Sequence, residues 1–567
     1  MTEAVNVFLD FSEPQTQTIN CKVNWTPTTL KTIISFPVWT PGSYTVRDHV
    51  QYLVQFKLFQ SDSEIQILRV DTNKWSANLK NLAPLILEYY VEAIELSVRT
   101  SYVDSSLASI CPCSCIPLIE DHRDSSYKLF IDFPSYWTCH IPLQKISTGT
   151  YLAHNYDQLL DSPIHAAESF TFNFKVQDFH HQLIIIGRPP QGFPPNLVED
   201  SRLICEQACK IFDSKPPSQH NYQFILCIFN KGYGGLEHDN SSVLTYNWNL
   251  LYSKNGYRKL LQLIGHEYFH QWNIRRLRPK EYLRYDYNKP VISENLWFAE
   301  GVTSYYDICL PYLAGLSNKE DLLNDFSEEI NKYINTNGRR CQSLADSSKE
   351  AWVKLYKSKL SSSETQISYY RLGTLVSLCL DIQLRSYNSS LSSLIQRLWL
   401  RNGVSNSGYN REDIMLLLKE INPKISDQLS IWLDYSNSLD LSFYLDKIGF
   451  ELKYKSESDY SHSSGLYFND SMIIERINSD SYAYKSNLAL GDHLIAVNGF
   501  EVSNKSDFQN IISGKKSIML SYFRRGILLQ DELILSSSLD RELVIEERST
   551  TNSKVKLLRE KWLTFIK

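Results

Sequence analysis

The run His266-Glu267-Tyr268-Phe269-His270 constrains this chain more than any other feature, because its residue types work together only on a helix. Residues four apart stand one turn above each other, so both imidazoles lean toward one point and can share one metal ion. Glu267 points beside that metal, where a carboxylate serves as a general base. The surrounding string from Tyr257 to Trp272 reads as a helix, with Leu261, Ile264, Tyr268 and Trp272 on an apolar stripe and no proline. With 13 histidines in 567 residues, chance would produce such a match on the order of 0.02 times. The motif therefore points to a zinc hydrolase.

A catalytic zinc usually takes three protein ligands and keeps one position open. No histidine occurs between His270 and His462, and Asn273 and Arg276 stand where a Gly-x-x-His continuation would fall. The nearby carboxylates are Glu281, Asp286, Glu294, Glu300 and Asp307. Glu300 is the best placed, in a stretch from Ser293 to Tyr306 that follows Pro290 and reads as a second helix capped by Ser293. Glu294 is its rival.

The length suggests three or four domains with ample core material. A net charge of -5, without a dense Lys/Arg block, argues against nucleic acid as the main partner. The first residues show no basic start followed by an apolar block, and no apolar run approaches the roughly 20 residues that span a bilayer. A soluble cytoplasmic protein with no membrane association is the expectation. Eleven scattered cysteines read as reduced thiols. The one cluster, Cys111, Cys113 and Cys115, lacks a second pair at zinc-finger spacing and reads as an ordinary loop.

Residues 1–175 show short β-rich stretches such as Thr32–Pro37, Tyr52–Phe59 and Leu85–Ala93, broken by turn residues, which predicts a β-sandwich. Residues 176–440 combine strand-like Gln182–Gly187 and Gln223–Phe229 with long helical periodicities, which predicts an α-rich catalytic domain with a small sheet. Capping-box spacing at Ser317-Asn-Lys-Glu320 and the acids after Asn410 mark helix starts within it. Residues 441–537 return to β character, with Met472–Ile477 and a tight turn at Asn498-Gly499, and predict a small β module. Residues 538–567 end in an amphipathic stretch from Ser553 to Ile566 that reads as a helix docking on the body. The fold class is thus multidomain α+β.

Four separated segments resemble one family, the PDZ-containing glycyl-aminopeptidase-like zinc metallopeptidases, gluzincins related to aminopeptidase N and thermolysin-type catalytic domains. Phe36-Pro-Val-Trp-Thr-Pro-Gly-Ser-Tyr-Thr-Val-Arg-Asp48 resembles its N-terminal signature, and His266 to Asn273 with Leu296 to Tyr306 resembles its zinc site. The resemblance implies a thermolysin-like catalytic domain and one zinc ion per chain on His266, His270 and Glu300. Tyr233-Gly-Gly-Leu-Glu-His238 resembles the Gly-rich strand whose glutamate pairs with the substrate's free amine, which implies Glu237 as anchor and Gly234 and Gly235 beside the substrate. Pairing makes physical sense, since a buried ammonium needs a fixed counter-charge. Ser368-Tyr-Tyr-Arg-Leu-Gly373 resembles the segment that supplies an oxyanion-binding phenol, which implies Tyr370. Leu372 replaces the lysine usual there. Leu490 to Gly499 resembles part of a PDZ domain, which binds a peptide by strand addition. Gly449-Phe450 and Gly465 to Phe468 are two candidate carboxylate loops for that module.

The expected activity is zinc-dependent removal of N-terminal residues from peptide substrates, and the resemblance implies small ones such as glycine or alanine. The alternatives are an endopeptidase using the same metal without the amine anchor, and a peptide-binding scaffold acting through the PDZ-like module.

Overall fold

The computed structural model describes residues 4–218, 221–455, 464–536, 542–549 and 551–566. Contacts divide the chain into two compact units, one of residues 1–292, 313–316 and 395–410, the other of 293–312, 317–394 and 411–567. The division falls between Ile292 and Ser293, inside the segment that the sequence reads as one catalytic domain.

The first unit opens with β structure because its strands alternate apolar and polar residues. Val5, Val7 and Leu9 are buried while the residues between them are partly exposed, the pattern of a sheet with one face on a core. Val5–Asp10 lies inside an eight-stranded sheet, between Tyr127–Asp132 and Thr18–Trp25, and two four-stranded sheets complete this β-rich region. A five-stranded sheet follows, in the order Ser169–Val176, Phe179–Ile186, Asn221–Phe229, Ser241–Asn247 and Tyr233–Glu237. Asn221–Phe229 runs parallel to both neighbours and is buried along nearly its whole length, as expected for a strand covered on both faces. Tyr233–Glu237 is left at the edge.

The helix bearing the paired histidines, Lys254–Phe269, starts at a Ser253 cap whose hydroxyl accepts from the Gly256 N–H. His270 stands at its C-terminal end. The expected apolar stripe is buried, with Leu261 at 2% exposure and Ile264, Tyr268 and Trp272 at 0%. Tyr268 ties the helix to the sheet, donating its hydroxyl to His181 Nε2 at 2.9 Å, while His181 Nδ1 donates to the Phe179 carbonyl at 2.9 Å.

Burial has a consequence for acid stability. It pushes the imidazoles of His49, His140 and His181 down to about 4 and that of His165 down to about 3. Each is neutral in the folded chain, whereas an unfolded chain would protonate it near pH 6.5. Stability from these groups is therefore complete above about pH 6.5 and is lost as the pH falls from there toward 4. At pH 5 the loss is about 2 kcal/mol per histidine. We expect the melting temperature, followed by circular dichroism, to fall steadily from pH 7 to pH 5; a flat profile would contradict four neutral buried imidazoles.

The second unit is helical around Tyr369–Arg385, which is buried on all sides from Leu372 onward, the mark of a central helix. The helix carrying Glu300 begins at Leu296 rather than after a Ser293 cap. Ser293 instead accepts from the Asn295 N–H in a local turn, and the Asn295 carbonyl takes the first helical bonds from Phe298 and Ala299. The capping box expected at Ser317 lies one residue later, between Asn318 and Asp321. Asn318 reaches the N–H three residues on, and Asp321 answers to the Asn318 N–H, a reciprocity that Ser317 with Glu320 does not make.

Within this unit, residues 464–536 form a small module with its own core, in which Leu466, Ile474, Leu494, Val497, Phe508 and Leu520 are buried together. Its four-stranded sheet runs Phe500–Glu501, His493–Val497, Ser517–Arg524, Ile527–Ile534. Asn498 and Gly499 have φ of 52° and 81°, the paired left-handed conformation of a tight hairpin turn. Gly465 immediately precedes the module's strand Leu466–Phe468, but Phe450 pairs instead in a separate ribbon, Phe450–Tyr454 with Leu543–Glu547. The terminal helix Ser553–Leu563 docks on the helical body through Trp562, which is 1% exposed and donates to the Tyr305 hydroxyl at 3.1 Å. Among the described residues no helix is long and apolar enough to cross a membrane.

Candidate active site

In the first unit the edge strand packs against the histidine helix. Strand Tyr233–Glu237 pairs antiparallel with Ser241–Asn247, Gly235 opposite Leu244 and Glu237 opposite Ser242. The helix closes on this strand because Gly235 has no side chain. A Cβ there would stand 2.2 Å from Glu267 Oε1, so glycine is the price of placing that carboxylate against the strand. Gly234 faces open space at φ 143°.

The side chains that meet are chemically unusual company. Glu237, Glu267 and His270, at 4%, 4% and 1% exposure, offer ligand atoms within 4.8 Å of one another. The His266 and His270 rings stand 4.6 Å apart, nearly perpendicular. His270 Nδ1 donates to the Asn273 carbonyl at 2.8 Å, which fixes the tautomer and makes Nε2 the nitrogen that could offer its lone pair to a metal. Two buried carboxylates beside imidazoles repel each other's charge and favour a cation nearby. The donor set therefore fits a cation such as a divalent metal.

Two further contributions come from the β-rich region of the same unit, and neither was read from the sequence. Gly42, in the Trp-Thr-Pro-Gly-Ser-Tyr signature, adopts φ 84° and lies so close to Glu237 that a Cβ would stand 2.5 Å from Oε2. Arg99 Nη2 donates to the Gly235 carbonyl at 3.2 Å, steadying the edge strand. Beyond Glu237, His238 Nδ1 lies 3.1 Å from Asp161, which also pairs with Arg275 at 2.7 Å. The Cys111 loop is wholly buried. A hydrogen bond from Cys113 pushes the Cys111 thiol down to about 7 against the opposing effect of burial.

If Glu237 holds a substrate's amine, as the resemblance implies, Gly42→Ala should raise KM for a free-amine peptide about tenfold, because the new methyl displaces Glu237 and the left-handed backbone adds roughly 1–2 kcal/mol of strain. Gly192→Ala is the control: its φ is 79° but nothing lies within 4 Å of its Cβ position. Equal KM values for the two variants would mean that Gly42 matters only for backbone strain.

The second unit holds the remaining sequence-derived residues. Glu300, 1% exposed, lies in a π-helical turn, Trp297–Gly301, a wide turn common at functional positions. Gly301 packs against Gly373, where an added Cβ would meet the Gly373 Cα at 2.5 Å. This brings the Glu300 turn onto the helix that begins with Tyr369 and Tyr370. These two rings stack at 4.8 Å, and the Tyr356 hydroxyl lies 2.9 Å from that of Tyr370 and 3.4 Å from that of Tyr369. Tyr369 is fully buried, and burial, the neighbouring phenols and the charge of Glu300 raise its hydroxyl well above the usual range. Tyr356 and Tyr369 were not singled out in the sequence; a doublet in a chain with 35 tyrosines carries no local mark. Glu294 is engaged with Lys349 at 3.4 Å and Arg411 at 3.7 Å.

Comparison with known proteins adds a family likeness. Residues 6–168 match the peptidase M61 N-terminal domain and residues 259–376 match the M61 glycyl aminopeptidase model. No curated protein matches the chain. Among solved structures, an aminopeptidase N family protein from Idiomarina loihiensis is similar over 99% of this chain and 100% of its own, with 25% identity and a TM-score of 0.91. An M1 zinc metallopeptidase from Deinococcus radiodurans shares the fold over 77% of this chain and 94% of its own, with 11% identity and a TM-score of 0.50. The family models and the first of these structures are thus likenesses to aminopeptidases, and the second shows a shared fold.

Proposed function

We propose, taking the M61 glycyl aminopeptidase likeness as premise, that this chain is a zinc-dependent aminopeptidase of gluzincin type that removes small N-terminal residues from peptides. The observation that carries the reading is the meeting of Glu237, Glu267 and His270 at a glycine-bearing sheet edge. Such an edge accepts an extended peptide by strand addition, and Gly235 lets a backbone come close.

His266, His270 and Glu300 would hold the metal, an imidazole, imidazole, carboxylate set suited to one zinc ion per chain. When bound, zinc supplies Lewis-acid polarisation of the scissile carbonyl and acidifies water. Glu267 takes a proton from the attacking water and delivers it to the leaving amine. Glu237 pairs with the substrate's ammonium and so measures one residue from the N-terminus. A short first side chain is what the M61 glycyl aminopeptidase likeness suggests. Tyr370 donates its phenol to the developing oxyanion, and Tyr356 orients that phenol. The module of residues 464–536 would bind an extended peptide or a protein C-terminus in the PDZ manner, with Gly465 at the carboxylate loop.

The test is hydrolysis of one peptide with a free N-terminus and of its acetylated twin, by wild type and Glu237→Gln. We expect cleavage of the free peptide only, with kcat/KM lowered about 100-fold in the variant. Equal cleavage of both peptides would establish the endopeptidase instead. Stoichiometric zinc without turnover would favour the peptide-binding scaffold.

A further inference from the structure

The loop after the histidine helix carries Arg275, Arg276 and Arg278, and all three line one cavity of about 320 Å³ in the first unit, with Asp157, Asp161 and Asp239 also on its walls. The charges there do not balance. Arg275 pairs with Asp161 at 2.7 Å and with Asp239 at 2.9 Å, and Arg278 shares Asp239 at 3.5 Å. Asp157 is taken by Arg123 at 2.9 Å. Among the described residues Arg276 donates to backbone carbonyls alone, those of Gln271 and Asp239, each at 2.9 Å. Arg275 and Arg278 thus take up the carboxylates of Asp161 and Asp239, and the positive charge of Arg276 at the cavity wall has no ion-pair partner among the described residues.

A partly buried cation without a counter-charge is unfavourable. Burial and the like charges of Arg275 and Arg278 lower the affinity of Arg276 for its proton against the pull of Asp239. Burial opposes ionisation of Asp239, yet Arg275, Arg278 and Arg276 outweigh it and hold that carboxyl below the usual range.

We propose that this cavity binds a small inorganic oxyanion, of the size and charge of phosphate or sulfate, on Arg276 and Arg278. The volume would hold roughly ten waters, enough for a tetrahedral anion with part of its hydration. Planar guanidiniums match such oxygens with paired donors, which a spherical halide cannot use as well. The site adjoins the catalytic parts without belonging to them. Pro41 lines the cavity while the next residue, Gly42, meets Glu237. The Arg275 N–H donates to the His270 carbonyl at 3.0 Å, and the same loop supplies the Asn273 carbonyl that orients the His270 ring. An occupant would brace this loop. The proposal does not depend on peptidase activity.

The experiment is calorimetric titration of the full chain with phosphate at ionic strength held constant by sodium chloride. We expect one site per chain, competition by sulfate, and affinity weakened at least about tenfold in Arg276→Gln. Asn240→Asp, which adds a negative charge to the cavity wall, should weaken it similarly and covers the case in which Arg276→Gln fails to fold. Absence of binding, equal competition by chloride, or unchanged affinity in both folded variants, which would place the phosphate elsewhere such as at the metal, would each overturn the assignment.

Discussion

Replacing Glu267 by glutamine should lower kcat/KM for a free-amine peptide by about 100-fold to 10,000-fold while leaving zinc content unchanged, the range a positioned general base contributes. The amide has the shape of the carboxylate and can stay against Gly235, where the space left by the missing Cβ already accommodates it. It cannot accept a proton. Because Glu267 stands beside the imidazoles rather than in the proposed ligand set, metal binding should survive. Zinc analysis and steady-state kinetics on the same preparation check both halves. Near-normal turnover with zinc bound would remove Glu267 from the mechanism.

Glu300→Ala should instead release the metal, weakening zinc binding by more than about 100-fold, since losing a ligand costs more than the 10-fold to 100-fold typical of the groups that support one. Activity would fall with it. Glu294→Ala is the informative companion, because Glu294 is occupied by Lys349 and Arg411 and its loss should leave zinc in place. Circular dichroism controls for folding, since Glu300 is deeply buried. A zinc-replete, active Glu300→Ala protein would overturn the ligand assignment, and zinc lost only from Glu294→Ala would transfer it to the rival.

Local rules made several parts of this protein legible in advance. The helix of His266 and His270 follows from its apolar stripe and four-residue spacing, and the hairpin at Asn498-Gly499 from the left-handed conformation that those residues tolerate. Helix starts were less secure. Ser293 and Ser317 have the composition of caps, but Asn295 and Asn318 hold those positions, because neighbouring polar residues compete for the same role within one turn.

What the sequence by itself determined is the chemistry available: two imidazoles one turn apart, a carboxylate beside them, and a glycine pair ahead of a second carboxylate. Period and propensity act over a few residues, so they carry that information directly. Only the tertiary structure decided that Gly42, almost 200 residues earlier in the sequence, lies against Glu237, that Arg99 holds the edge strand, and that Tyr356 joins the Tyr369-Tyr370 pair. It also decided that Arg275 and Arg278 take up two carboxylates at one cavity while Arg276 on the same wall donates to backbone carbonyls. Such contacts depend on which sheet edge meets which turn, a property of the packed chain as a whole that no local pattern encodes.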